Sequence, residues 1–167
     1  LAADVVVSNA NGSGTLTAGF GYFAAPTITS VAPSTGTSLG GTPLTITGSG
    51  FTANAAGATL LTIGGGAPGR LVVVDDPTLT CARLPGTPGA SLDLVAQNDN
   101  GTGSLVGGFT YHATPTLTAV APTAGSSLGG TVVTLTGTGF QDFGAGANSV
   151  TIDGVAATSV VVTNDTT

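Results

Sequence analysis

"PTITSVAPSTGTSLGGTPLTITGSGF", Pro26 to Phe51, returns almost word for word as "PTLTAVAPTAGSSLGGTVVTLTGTGF", Pro115 to Phe140, with no gap between them. The offset is 89 residues (115 − 26), and it persists beyond the phrase. Thr62-Ile63 falls on Thr151-Ile152, Val73 on Val162 and Asp76 on Asp165. Backwards from the phrase, Asp4 falls on Asp93, Asn11 on Asn100, Phe20 on Phe109 and Tyr22 on Tyr111. Self-similarity at a fixed period marks a repeat architecture. The chain reads as the end of one repeat (1–25), a whole repeat (26–114) and the beginning of a third (115–167).

Within the whole repeat the apolar residues alternate with period two, which is the spacing of a half-buried strand. Leu44 and Ile46 alternate with threonine, as do Leu61 and Ile63 around Thr62 and Leu79 and Cys81 around Thr80. Leu92, Leu94 and Ala96 form another set, and Phe109 and Tyr111 flank Thr110. No stretch carries a helical period. The 28 glycines and 9 prolines stand at the breaks. About seven short strands with such punctuation predict an all-β fold, a tandem array of immunoglobulin-like β-sandwiches. "SLGG" offers two adjacent residues without a Cβ for a sharp turn, expected where the chain leaves the first strand for the second sheet. "NDNGTG" at 98–103 reads as a hairpin.

These residues carry a resemblance. A proline opening each phrase, a "GG" turn, a strand ending in "G-x-G-F" and a closing "F-x-Y" occur twice each and resemble the IPT/TIG domain, in its tandem, bacterial-type surface or filament setting. The resemblance implies an immunoglobulin-like sandwich. It leaves function open, because the family serves unrelated roles. Its DNA-binding members use basic loops, which this chain lacks.

Composition excludes several functions. Only 6% of the 167 residues are charged; Lys and Glu are absent, and Arg70 and Arg83 are the only cations against a net charge of −6. Nucleic-acid binding needs a basic footprint. A spanning helix needs about 20 apolar residues in a row, and none exists. With Thr, Ser, Asn and Gly supplying the polar surface, an extracellular or cell-surface setting is expected. With Met absent, the natural start is expected outside this stretch.

Candidate reaction chemistry is sparse. His112 is the single histidine, and its repeat equivalent is Phe23, so the fold does not require an imidazole there. Cys81 alternates with Leu79 and reads as a buried structural thiol. No catalytic residue, cofactor site or metal site is assigned. Asp75, Asp76, Asp99 and Asp165 fall at expected turns, without the spaced ligands and bidentate Glu of a calcium loop. Glycosylation sequons stand at Asn11, Asn100 and Asn164. Arg70 and Arg83 receive no role.

From Tyr111 to Pro115 only "HAT" intervenes, and from Tyr22 to Pro26 only "FAA". A joint so short, closed by a residue that fixes φ, holds consecutive sandwiches end to end. The expected function is a structural repeat of an extracellular rod or filament, an appendage shaft or adhesin stalk. Its expected partners are adjacent repeats or further copies, head to tail. Leu1, Ala3, Val5, Val7, Phe20 and Tyr22 are the expected strand contacts, each filling the core of a repeat begun elsewhere. The alternative is a ligand-binding module that contacts a surface glycan or a receptor. Because no set of oxygen ligands assembles in the sequence, a chelator should leave the thermal midpoint unchanged; a calorimetric scan with and without EDTA checks this, and a large drop would restore calcium to the Asp-rich turns.

Overall fold

The computed structural model describes residues 1–142 and 145–167. Alternation builds the middle repeat. Leu44 and Ile46 point inward from β5 (Pro43–Ser49), and Leu79 and Cys81 from β8 (Thr78–Ala82). These two strands pair antiparallel with Ile46 opposite Leu79. β3 (Thr27–Ala32) and β7 (Gly69–Asp75) complete a four-stranded sheet in the order β3-β5-β8-β7.

The facing sheet has the order β4-β10-β9-β6, from β4 (Thr35–Thr37), β6 (Leu60–Ile63), β9 (Ser91–Asn98) and β10 (Gly101–His112). Leu61, Ile63, Leu94, Ala96, Phe109 and Tyr111 turn inward from it and are buried. Together with Ile28, Val31 and Phe51 they form one core between the sheets, as the period-two reading requires. Leu92 is half-buried and packs against this core. The molecule is all-β, an immunoglobulin-like sandwich.

Eight strands, not seven, lie between Thr27 and His112. β4 has only three residues and no apolar alternation, so nothing in its sequence announces it. It also corrects the expected path of the "SLGG" turn. The chain crosses to the other sheet at Ala32-Pro33, runs parallel to β10 as β4, and then returns through Ser38–Gly41 to pair with β3. Gly40 has φ 81°, and a Cβ there would sit 2.5 Å from the Pro85 nitrogen, so both conformation and space demand glycine.

The flanking repeats reuse the same pieces. β1 (Ala2–Asn9) and β2 (Gly12–Gly21) form a hairpin equivalent to β9–β10. The Asp4 carboxylate accepts the Ala18 N–H at 2.7 Å, and Asp93 accepts that of Gly107 at 2.8 Å. Both donors adopt positive φ at a bulge in the second strand. At the other end, β11 (Thr116–Ala121) and β12 (Thr134–Thr138) repeat β3 and β5, including the bulge. The Thr118 hydroxyl donates to the Thr136 carbonyl at 3.0 Å, as Thr29 does to Thr47 at 2.9 Å. β13 (Thr151–Ile152) and β14 (Val155–Ala156) are a short hairpin.

Leu94 is fully buried between the sheets. Leu94→Ala should destabilise the middle repeat by about 2–4 kcal/mol, through lost transfer energy and the cavity left behind. Urea unfolding reads this directly, and an unchanged midpoint would mean that β9 faces the other way.

Candidate functional site

The best-defined polar site is a carboxylate that organises one end of the sandwich. β5 ends in Gly48-Ser49 and runs on into Gly50-Phe51; Gly48 has no room for a side chain because Phe51 and the Thr27 carbonyl press on it. Phe51 is fully buried. This leaves the backbone N–H groups of the following turn without a strand partner, and buried or constrained donors require acceptors. Asp76, just after β7, supplies them. Its carboxylate accepts from Gly50 at 3.2 Å, Thr52 at 3.0 Å and Ala53 at 2.9 Å.

Asp165 does the same for Gly139, Gln141 and Asp142, at 3.1, 3.0 and 3.0 Å. The Thr52 and Gly50 N–H groups hold the Asp76 carboxyl below the ordinary aspartate value, and those of Gln141 and Gly139 do so for Asp165. Both carboxylates serve turns formed by residues distant in sequence. Among the described residues no three His, Cys, Asp or Glu side chains gather as a metal site.

Two buried polar side chains complete this end. The Thr59 hydroxyl donates to the Phe51 carbonyl at 2.5 Å, and the Asn98 amide donates to the Gly50 carbonyl at 2.8 Å. Asn100 then reaches the Ala53 carbonyl at 3.3 Å and that of Asn54 at 3.5 Å. Its sequon nitrogen therefore ties the β9–β10 hairpin to the turn. The other sequons differ. Asn11 is exposed at the β1–β2 tip, and the Asn164 side-chain amide oxygen Oδ1 accepts from the Thr166 N–H and hydroxyl, both at 2.9 Å.

The structure gives Arg83 a place that sequence reasoning missed. Its residue surface is 8% exposed, and the guanidinium carbon lies 5.1 Å from the centre of the Tyr111 ring. The cation rests on the ring face, while the Tyr111 hydroxyl donates to the Leu84 carbonyl. No alternation or spacing signals this pair, because an arginine after a strand ordinarily faces water. Arg70 is exposed at a bulge in β7, with φ 50°. Ser159, its repeat equivalent, shares that conformation with φ 56°. The conformation belongs to the repeat position and not to the arginine.

Cys81 and His112 stand in different sheets. Burial pushes the Cys81 thiol up to about 11, against the opposing charge of Arg83, which leaves it protonated and unreactive near neutral pH. His112 ends β10, where its carbonyl accepts the Ser38 N–H at 2.9 Å. It lines an open groove across the joint, with Thr35, Thr37 and Leu39 on its own side and Asp142, Ala147 and Asn148 on the next.

Of the expected strand contacts, Ala3 is half-buried in β1, and Leu1, Val5, Val7, Phe20 and Tyr22 are exposed in this chain. The hairpin is nevertheless well formed. Leu1 and Tyr22 exchange backbone hydrogen bonds at 2.7 and 2.8 Å. Phe20 and Tyr22 meet edge to face at 5.0 Å, as Phe109 and Tyr111 do at 5.3 Å.

The family model for the IPT/TIG domain matches residues 26–112 and 115–167. Human fibrocystin-L is 36% identical over 122 residues, which is 70% of this chain and 3% of that protein. Two structures of the plexin A4 extracellular region align with TM-scores of 0.47 and 0.37, at 21% and 26% identity. They cover 69% and 68% of this chain and 10% and 12% of theirs. The chain thus spans a small fraction of each relative. The bacterial cast of the sequence resemblance is not carried by these comparisons, whose curated relative is human.

The acid-side behaviour follows from the lowered carboxyl of Asp76. A group with a depressed folded pKa stabilises the fold when ionised. That contribution is present above the unfolded value of about 3.9 and is lost as pH falls through the folded value. Asp76→Asn should lower the melting temperature at neutral pH and flatten its fall on acidification. Melting curves collected from neutral to strongly acidic pH check this, and parallel curves for the two proteins would refute it.

Proposed function

The chain belongs to the IPT/TIG domain family, and from that premise we propose that it is a run of non-catalytic modules serving as a stiff spacer in an extracellular rod, stalk or filament. The joint carries this reading. β10 ends at His112 and β11 begins at Thr116, so only Ala113, Thr114 and Pro115 separate two strands that belong to successive repeats. Proline fixes its own φ and restricts the residue before it, so the linker has few conformations. The turn beyond the joint, whose N–H groups donate to Asp165, is locked by that carboxylate, which gives the following repeat a firm end to abut.

The extracellular setting is supported by a polar surface made of hydroxyls and amides with few charges, and by the exposed sequons at Asn11 and Asn164. No described helix is long and apolar enough to cross a membrane. The reading as a glycan- or receptor-binding module would draw on exposed aromatics. Phe20 and Tyr22 are exposed, yet their repeat equivalents Phe109 and Tyr111 are core residues. They are better explained as core residues of a further sandwich than as a ligand platform.

A spacer must lengthen in proportion to its repeats. With strands near ten residues and a rise of about 3.3 Å each, every added 89-residue repeat should extend the particle by roughly 35–40 Å. Small-angle scattering on proteins with increasing repeat number reads the maximum dimension. A dimension that stops growing would show that the repeats fold back on one another and would remove the spacer reading.

A further inference from the structure

The sequon Asn164-Asp165-Thr166 falls on Asp75-Asp76-Pro77 of the middle repeat, so two replacements within one turn create it. The turn itself is the same in both repeats. Asp75 pairs with Thr78, and Asn164 exchanges backbone hydrogen bonds with Thr167 at 3.3 and 3.4 Å. The Pro77 carbonyl accepts the Gly48 N–H at 2.9 Å, and the Thr166 carbonyl accepts that of Gly137 at 2.9 Å. Asp165 holds the upstream loop as Asp76 does. Asp75 is exposed in the whole repeat, as Asn164 is in the next. The exposure of Asn164 is thus a property of this turn in a complete sandwich.

Thr166 changes what the turn can do. Its hydroxyl and its N–H both donate to Asn164 Oδ1, at 2.9 Å each, and proline at this place supplies neither donor. Two donors on Oδ1 fix the plane of the amide and draw electron density to its oxygen, which makes the Nδ2 protons more acidic. Nδ2 itself makes no hydrogen bond among the described residues. The other two sequons are arranged differently. The Ser13 hydroxyl, which would serve Asn11, pairs with Ser8 at 2.7 Å. Asn100 is half-buried, and its Nδ2 donates to the Ala53 and Asn54 carbonyls at 3.3 and 3.5 Å.

We propose that Asn164 is a glycan attachment site and that Asn100 is not. In the transfer, Asn164 Nδ2 forms a bond to C1 of the first sugar of a lipid-linked oligosaccharide pyrophosphate. The bond from C1 to the pyrophosphate oxygen breaks, the electron pair leaves with the pyrophosphate, and Nδ2 gives one proton to a base of the transferase. Nothing is oxidised or reduced. At an exposed turn the bulky product displaces no part of the fold. A glycan on Asn100 would stand between the β9–β10 hairpin and the loop that Asn100 ties to it, so a chain carrying one could not close that end of the sandwich.

This goes beyond the spacer reading and needs only the extracellular setting. The test secretes the whole chain from animal cells behind a signal peptide and maps its peptides by mass spectrometry, before and after enzymatic removal of N-linked glycans. The Asn164 peptide should carry a glycan in most molecules, and the Asn100 peptide should be bare. The sequon pattern marks both alike, so the Asn100 peptide separates the geometry from the motif. Thr166→Pro, which restores the residue of the middle repeat, should abolish the glycan and leave the circular dichroism spectrum unchanged. Thr166→Ser, which keeps the hydroxyl, should retain it. A bare Asn164 in the secreted chain, a glycan that persists in Thr166→Pro, or an occupied Asn100 in the folded product would overturn the assignment. Each of these outcomes leaves the length measurement that tests the spacer untouched.

Discussion

The Asp76 carboxylate and the turn it holds are the constraint on which each repeat depends. A chain that leaves β5 through Gly50 and buries Phe51 must bend sharply, and the bend strips N–H groups of strand partners. One carboxylate answers three of them, with charge assistance that a neutral acceptor would not provide. The organised turn then becomes an acceptor itself. Asn98 and Asn100 bring the β9–β10 hairpin to the carbonyls of Gly50 and Ala53. The Gly50 position also packs close to Pro26, the first residue of the repeat. Strand exit, hairpin tip and repeat entry thus converge on one loop.

Under the proposed spacer role, that convergence would supply stiffness with so little charge. Stiffness at a joint requires that the two abutting ends be rigid and that the linker be short. The linker is short by sequence, and Asp165 rebuilds the same locked turn beside the joint at the start of the third repeat. The edge strand β7 is interrupted by two register shifts and carries Arg70 on one of them, which discourages pairing along the side of the array. The lateral edge at β7 is blunted in this way.

How much was legible in the sequence follows from the kind of signal each feature leaves. The strands β5, β6, β8 and β9 and their inward residues were readable because one buried face forces period two, and the return of the Leu44–Ile46 alternation as Val133 and Leu135 made the fold class secure. β4 was not readable, since three residues pairing parallel at a sheet edge bury little and need no pattern. The turn role of Asp76 was only half legible. Its recurrence as Asp165 was plain, but the partners lie more than twenty residues upstream, and no local rule connects them. The Arg83–Tyr111 contact was invisible, because a cation on a ring face depends on where two strand ends meet and not on spacing.

Comparing the repeats position by position separates scaffold from specialisation. The positive-φ conformation persists at Arg70 and Ser159 although the side chains share no chemistry, and the carboxylate-to-bulge bond persists although Ala18 stands where the next repeat has Gly107. An alanine held at φ 52° carries strain that glycine at φ 63° avoids, so the hydrogen bond to Asp4 helps impose the local geometry. At the ends of the repeats the substitutions change chemistry. Phe23 becomes His112, and Ala53, whose carbonyl receives Asn100, becomes Asp142 in the joint groove. Backbone geometry is held constant where the sandwich is built, and side-chain chemistry varies where one sandwich meets the next. In such an array the fold is common property, and each joint carries its own identity.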